Sequence, residues 1–258
     1  MITRAAVGGY ALQLGDDALI MAQRLGEWVS YAPELEEDVA LGNIALDLLG
    51  QARSLLTRAG ELEAAAGGTV VARTEDELAY LRGDREFRCV HLVELPRGDF
   101  AVTIARQLAF SGYQAALYPG LTATADPVIA GVAAKAVKEV AYHRDHAAQW
   151  TLRLGDGTEE SHRRMQAGLT RVWPYTGEMF RADPLGQALA RDGLAVDAPE
   201  LRPAWADYVA TVLRDATLAW PETAPAPGGG RRGLHTEQMG HLLAEMQYLA
   251  RCHPGARW

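Results

Sequence analysis

Glu139, Tyr142, His143 and His146 fall within about two turns of one stretch, residues 128–154, that reads as an unbroken helix. Asp126 is a natural N-cap for it, and Pro127 suits the first helical position. Apolar residues recur at Ile129, Ala133, Ala136, Val140, Ala147 and Leu154, and His143 lies on the same stripe. Lys135, Glu139, Tyr142 and His146 run beside it at spacings of three and four, so they share one flank. A carboxylate and imidazoles beside the apolar face of a long helix are what one helix of a carboxylate–histidine di-metal bundle supplies.

Such a bundle needs one carboxylate from each of two helices and a Glu-x-x-His pair from each of the other two. Two hard cations require bridging carboxylates, and two neutral imidazoles fix the geometry while leaving positions for dioxygen. The first 90 residues hold no histidine, and residues 100–125 hold no carboxylate. Three residues after Glu139 stands Tyr142, with the imidazole displaced to His143. A complete ferritin-type site is therefore not expected. Glu27, Asp47 and Glu139 remain as carboxylates able to point inward, with Arg106, Lys135 and His143 near them in sequence or helical phase. Two readings stay open. In one, these six are a degenerate metal site whose lost metal charge is replaced by protein cations. In the other they are separate, partly solvated positions, with His143 a satisfied core histidine.

The elements that would position them are all helical. A first helix covers about 9–31, with Leu12, Leu19, Leu25 and Trp28 on one side. After Pro33 a second runs to about 66, with an apolar stripe at Leu35, Val39, Leu46, Leu49 and Leu56. Glu36, Asn43, Asp47 and Gln51 form a polar stripe beside it. Thr74 and Glu77 make a capping box for a short helix. Another is expected over 86–94, and Asp99 caps one that reaches about 118 and is closed by Pro119. Thr158 and Asp183–Pro184 are further start signals, followed by helices at about 199–218 and 236–251. Residues 221–233 contain three prolines and four glycines and read as a mobile loop. No segment alternates with a period of two. The expectation is an all-α fold, a single domain over 1–258. Its core bundle spans about 9–155, with the C-terminal helices at about 158–251 packed on it.

Composition narrows the function classes. A formal net charge of −8 argues against a nucleic-acid or anionic-membrane partner. Cys89 and Cys252 offer neither a disulfide framework nor metal-ligand spacing, as suits a cytoplasmic protein. The N-terminus has no apolar signal core. Residues 107–125 lack charge, but two glutamines, two glycines and Pro119 make them a poor membrane span. Gly228, Gly229 and Gly230 before Arg231 and Arg232 resemble a phosphate loop in composition only. His235 and His241 read as capping or surface residues.

Several runs together resemble a known family: LGDDALI at 14–20, Glu27 with Trp28, APELE at 32–36 and ALDLLGQAR at 45–53. TIARQ at 103–107, AKAVKE at 134–139 with Tyr142 and His143, GLHTE at 233–237, LAEMQYL at 243–249 and PGARW at 254–258 continue the match. They resemble the family of structural, C-type components of the bacterial 1,2-phenylacetyl-CoA epoxidase, a multicomponent monooxygenase. The resemblance implies a ferritin-like fold and a cytoplasmic heteromeric complex. In it, a separate catalytic component, the A-type one, holds the di-iron centre and binds the CoA thioester, and a reductase supplies electrons from NADPH. The C-type component is implied to be a structural partner with no catalytic residue and no bound cofactor of its own; self-association stays open. Trp173–Phe180 and residues 239–249 are rich in interface-type side chains, with ordinary intrachain packing as the other reading. Two rival functions remain: an oxygenase using Glu27, Asp47, Glu139 and His143, or a general helical adaptor.

Overall fold

The computed structural model describes residues 3–67 and 71–256. Thr3 opens helix α1 (Arg4–Gly26) by accepting from the Ala6 amide. Helix α2 (Leu35–Gly67) begins with Glu36, Glu37 and Asp38, negative charge where the helix dipole favours it. The two pack antiparallel along their length. Gly15 permits the close approach, since a Cβ there would sit 2.9 Å from Leu56 Cδ2.

A crossover then carries α3 (Glu75–Tyr80), a 3-10 turn (Asp84–Glu86) and the one-turn helix α4 (His91–Glu94). The capping box at Thr74 and Glu77 is present. Helix α5 (Phe100–Leu121) and helix α6 (Pro127–Gly155) form the second long hairpin. Asp99 accepts from the Val102 amide at 2.9 Å, and Asp126 from the Val128 and Ile129 amides at 3.1 Å each. Asp126 also receives Arg58 from α2 at 2.8 Å, tying the hairpins together. Helix α7 (Glu159–Val172) packs on α5 and α6. Next in the chain, α8 (Pro184–Arg191) follows its Asp183 cap, and α9 (Arg202–Asp215) completes the cover over α5 and α6. Helix α10 (Glu237–Cys252) packs on the crossover. Among the described residues there is no β-strand, and no helix is long and apolar enough to cross a membrane.

Five expectations change. The helix expected over 86–94 forms only at its end. The Arg88 and Val90 amides are instead given to the carboxylates of Asp16 (2.7 Å) and Asp17 (2.9 Å), which holds residues 87–90 extended. Helix α1 stops at Gly26, and the Ser30 amide, at a positive φ of 68°, is taken by Asp38. Pro119 lies inside α5 rather than closing it. The last helix before the Pro/Gly loop starts at Arg202, after a 3-10 turn over Ala198–Leu201.

The fifth change matters most. Leu35, Val39, Leu46 and Leu49 do not face the core: they are 75%, 56%, 65% and 45% exposed. Leu41, Ile44, Leu48 and Leu55, fully buried, form the inward face together with Leu56. Helix α2 is therefore apolar on two faces, one packed and one bare. The aromatic-rich Trp173–Phe180 segment packs within the chain. Trp173 meets Trp220 at 4.6 Å between ring centroids, and Phe180 meets Trp205 at 4.9 Å.

Candidate functional site

The α2–α6 boundary carries a ladder of polar contacts. His143 donates from Nε2 to Asp47 at 3.1 Å, and His146 pairs with Glu37 at 2.7 Å. One rung lower, Glu139 accepts from Gln51 at 3.0 Å and from Lys135 at 3.0 Å. The Tyr118 hydroxyl donates to Gln51 at 2.8 Å, closing the chain from α5. Asp47, Lys135, Glu139 and His143 are thus brought to one seam. Glu27 and Arg106 are not part of it. Glu27 pairs with Arg24 at 2.6 Å, and Arg106 donates to the Leu95 carbonyl at 2.6 Å. Arg106 is fully buried, with Nε and Nη2 lacking a hydrogen-bond partner. Burial beside Arg24 pushes its pKa down to about 9, which leaves it charged at neutral pH.

These donors do not fit a di-iron centre. Each seam carboxylate is committed to its own imidazole, amide or ammonium, and none bridges toward a shared centre. The inward positions beside them, Ile44 and Leu48 on α2 and Val140 and Ala147 on α6, are fully buried and apolar.

His143 is the fully buried imidazole of the ladder. Burial lowers its pKa below the ordinary value of 6.5, against the opposing pull of Asp47. It is held neutral, with Nε2–H on Asp47 and Nδ1 a buried lone pair without a donor. In the unfolded chain the ring protonates near pH 6.5. Below that pH the unfolded chain holds a proton on this residue that the folded one lacks, so the contribution of His143 to stability falls as the pH drops through about 6.5, opposite in sign to that of His235, whose pKa is raised. Denaturation midpoints measured down the pH scale should show this slope. His143→Gln should flatten it, and an unchanged slope in the variant would assign the acid sensitivity to other groups.

A second polar network is one that sequence reasoning does not assemble. Asp16 is fully buried and receives Arg82 through both oxygens, in addition to the Arg88 amide. Asp17 receives Arg231 at 2.6 Å. Glu178 accepts from the amides of Gly229 (2.7 Å), Gly230 (2.8 Å) and His91 (2.8 Å). Burial opposes the charge on Glu178, and these amides overcome it, holding its pKa below the ordinary value. The segment over 221–233 is therefore fixed rather than free. Arg231 also donates to the Gln13 and Arg88 carbonyls, and Arg181 donates to the carbonyls of Ala226 and Pro227. Beside this network lies a cavity of about 410 Å³ lined by Tyr10, Leu14, Tyr113 and Met179. Two polar groups in its wall are already paired, Gln13 with Asp183 and Arg231 with Asp17. The one sequence signal of the network is the Asp16–Asp17 pair inside an apolar helix.

Two comparisons bear on identity. The family model described as phenylacetic acid catabolic protein matches residues 2–258. Among curated proteins, the chain is 47% identical over 249 residues to the C subunit of the 1,2-phenylacetyl-CoA epoxidase of Escherichia coli (strain K12). That match covers 96% of this chain and 98% of the relative. An all-α, ferritin-like bundle whose polar seam binds side chain to side chain, matched along nearly its whole length, leads to one assignment: the chain belongs to the phenylacetic acid catabolic protein family.

Proposed function

We propose that this chain is the non-catalytic, structural subunit of a multicomponent 1,2-phenylacetyl-CoA epoxidase. It pairs with a di-iron catalytic partner and steadies it, while a reductase delivers electrons to that partner. The observation that carries this reading is the bare face of α2. Leu35, Val39, Leu46 and Leu49, with the open Gly42 between them, follow steps of four and three, the spacing of a seam that packs against another helix. Tyr142 on α6 and Tyr31 after α1 add exposed aromatic surface, at 49% and 70%. A contiguous apolar stripe of this kind marks an interaction surface.

The ladder beside it supports the non-catalytic half of the reading. Asp47, Lys135, Glu139 and His143 are the remnant of a metal-binding seam in which the Lys135 ammonium, with the Gln51 amide and the neutral His143 ring as hydrogen-bond donors, takes the metal's place. The iron and its redox chemistry belong to the partner. Both cysteines are free, which suits a reducing, cytoplasmic setting. The test is to purify the chain alone and with the catalytic partner, then measure iron content and ring epoxidation. The expected result is a stable, active mixed complex with the iron in the partner. Near-stoichiometric iron in this chain, with turnover by it alone, would overturn the proposal.

A further inference from the structure

Among the described residues outside the bundle seam, one group of side chains has the composition and geometry to hold a cation, and it is independent of how the chain pairs. Cys89 Sγ, the Glu94 carboxylate and His235 Nδ1 lie within 4.8 Å of one another. Cys89 and Glu94 are fully buried, and the His235 side chain is 2% exposed. The first two come from the end of the crossover and the third from the segment before α10. The geometry points to a zinc site, with three protein ligands and one open position, that clips these two segments together.

The surrounding hydrogen bonds hold these donors in place, and the direct hydrogen bond between His235 and Glu94 is the one the ion replaces. His235 Nε2 donates to the Phe87 carbonyl at 3.0 Å, which orients the ring and aims Nδ1 at the centre. A ligating imidazole is almost always anchored this way through its other nitrogen. Glu94 Oε1 is held by the Thr236 amide at 2.7 Å, which turns Oε2 toward His235 at 2.6 Å. Thiolate, imidazole and carboxylate are the donors Zn²⁺ takes, and three of them leave the fourth position to a water.

Charge favours the same ion. Thiolate and carboxylate together cancel the two positive charges of Zn²⁺, so a buried site ends neutral. Without the metal, two protons do this work: one on the Cys89 thiol and one on His235 Nδ1, shared with Glu94. Asp16 and Asp17 also face this region and are matched by Arg82 and Arg231, while the His91 ring stands 6.1 Å from His235. Binding exchanges Zn²⁺ for the thiol proton and the Nδ1 proton. Two protons leave, two metal–ligand bonds form beside the carboxylate bond, and no electron moves.

The experiment uses the full chain, stripped with a chelator, desalted and titrated with zinc chloride near neutral pH. The expected result is one zinc retained per chain by elemental analysis, two protons released to an indicator dye, and a raised melting temperature. Cobalt(II) in place of zinc should give a thiolate-to-metal charge-transfer band. Cys89→Ala should abolish that band. It should also weaken zinc binding by at least the roughly 10–100-fold that losing even an outer partner costs. Cys252→Ala, which removes the exposed thiol, should change neither. The proposal is overturned if the parent retains no zinc after desalting, or if Cys89→Ala retains it as the parent does.

Discussion

Replacing Asp16 by alanine should destabilise the protein by about 3–5 kcal/mol, the cost of stranding one partner of a buried ion pair. Asp16 has no solvent exposure and Arg82 only 2%. The guanidinium keeps the Leu78 and Glu86 carbonyls and lies over the Phe87 ring at 4.0 Å, but it loses the Asp16 carboxylate. The Arg88 amide loses its acceptor in the same change, so the extended stretch over 87–90 is loosened at both ends of the interaction. Urea denaturation read by circular dichroism checks the size. Asp16→Asn, which keeps one acceptor oxygen, should lose less. Removing both charges, Asp16→Leu with Arg82→Met, should also cost less than Asp16→Ala, because well-packed apolar replacements avoid the buried unpaired charge. The exposed pair Arg73–Glu63 is the contrast: its side chains are 41% and 54% exposed, and Arg73→Ala should cost under about 1 kcal/mol. A loss that small for Asp16→Ala would mean that Arg82 finds water or another acceptor, and that the network does not hold the crossover.

Local signals carried far in this sequence where the physics is local. The Asp126–Pro127 start of α6, the Thr74–Glu77 box and the Asp99 cap all depend on side chains within three residues of the amides they serve, and all three form as expected. The stripe of α6 also resolves, since Ile129, Ala133, Ala136, Val140, His143 and Ala147 are its buried face. Helix α2 defeats the same method. Periodicity finds an apolar face but cannot say which of two faces meets the core, and Leu46 reads as well as Leu48. Residues 86–94 fail for another reason: their amides are claimed by Asp16 and Asp17, more than seventy residues earlier. The Pro/Gly segment fails likewise, because Glu178 and Asp17 fix it from a distance. Four of the six polar positions could be assembled from helical phase, since Asp47, Lys135, Glu139 and His143 sit on two neighbouring helices. Glu27 and Arg106 could not: Glu27 is taken by Arg24 one turn earlier, and Arg106, inside α5, is taken by the Leu95 carbonyl before that helix.

Introducing a charge at Leu46 should separate folding from assembly. Leu46 is 65% exposed and contributes little to the core, so Leu46→Glu should leave the denaturation midpoint of the isolated chain within about 0.5 kcal/mol of the parent. In the proposed mixed complex the same position lies within the Leu35–Val39–Gly42–Leu46–Leu49 seam. A carboxylate buried there gains no help from Lys135, which is already paired with Glu139. Central apolar anchors of an interface cost about 2 kcal/mol or more when lost, and an unpaired charge adds to that. Affinity for the catalytic partner should therefore fall by more than about 30-fold. Epoxidation should fall with it when this chain is limiting and recover as the chain is added in excess. Tyr248→Glu is the matched control, because Tyr248 is 66% exposed but belongs to α10, away from the seam. Titration by light scattering or surface plasmon resonance distinguishes the two. If Leu46→Glu binds as the parent does and Tyr248→Glu does not, the partner sits on the α10 face. The bare stripe of α2 would then need another occupant.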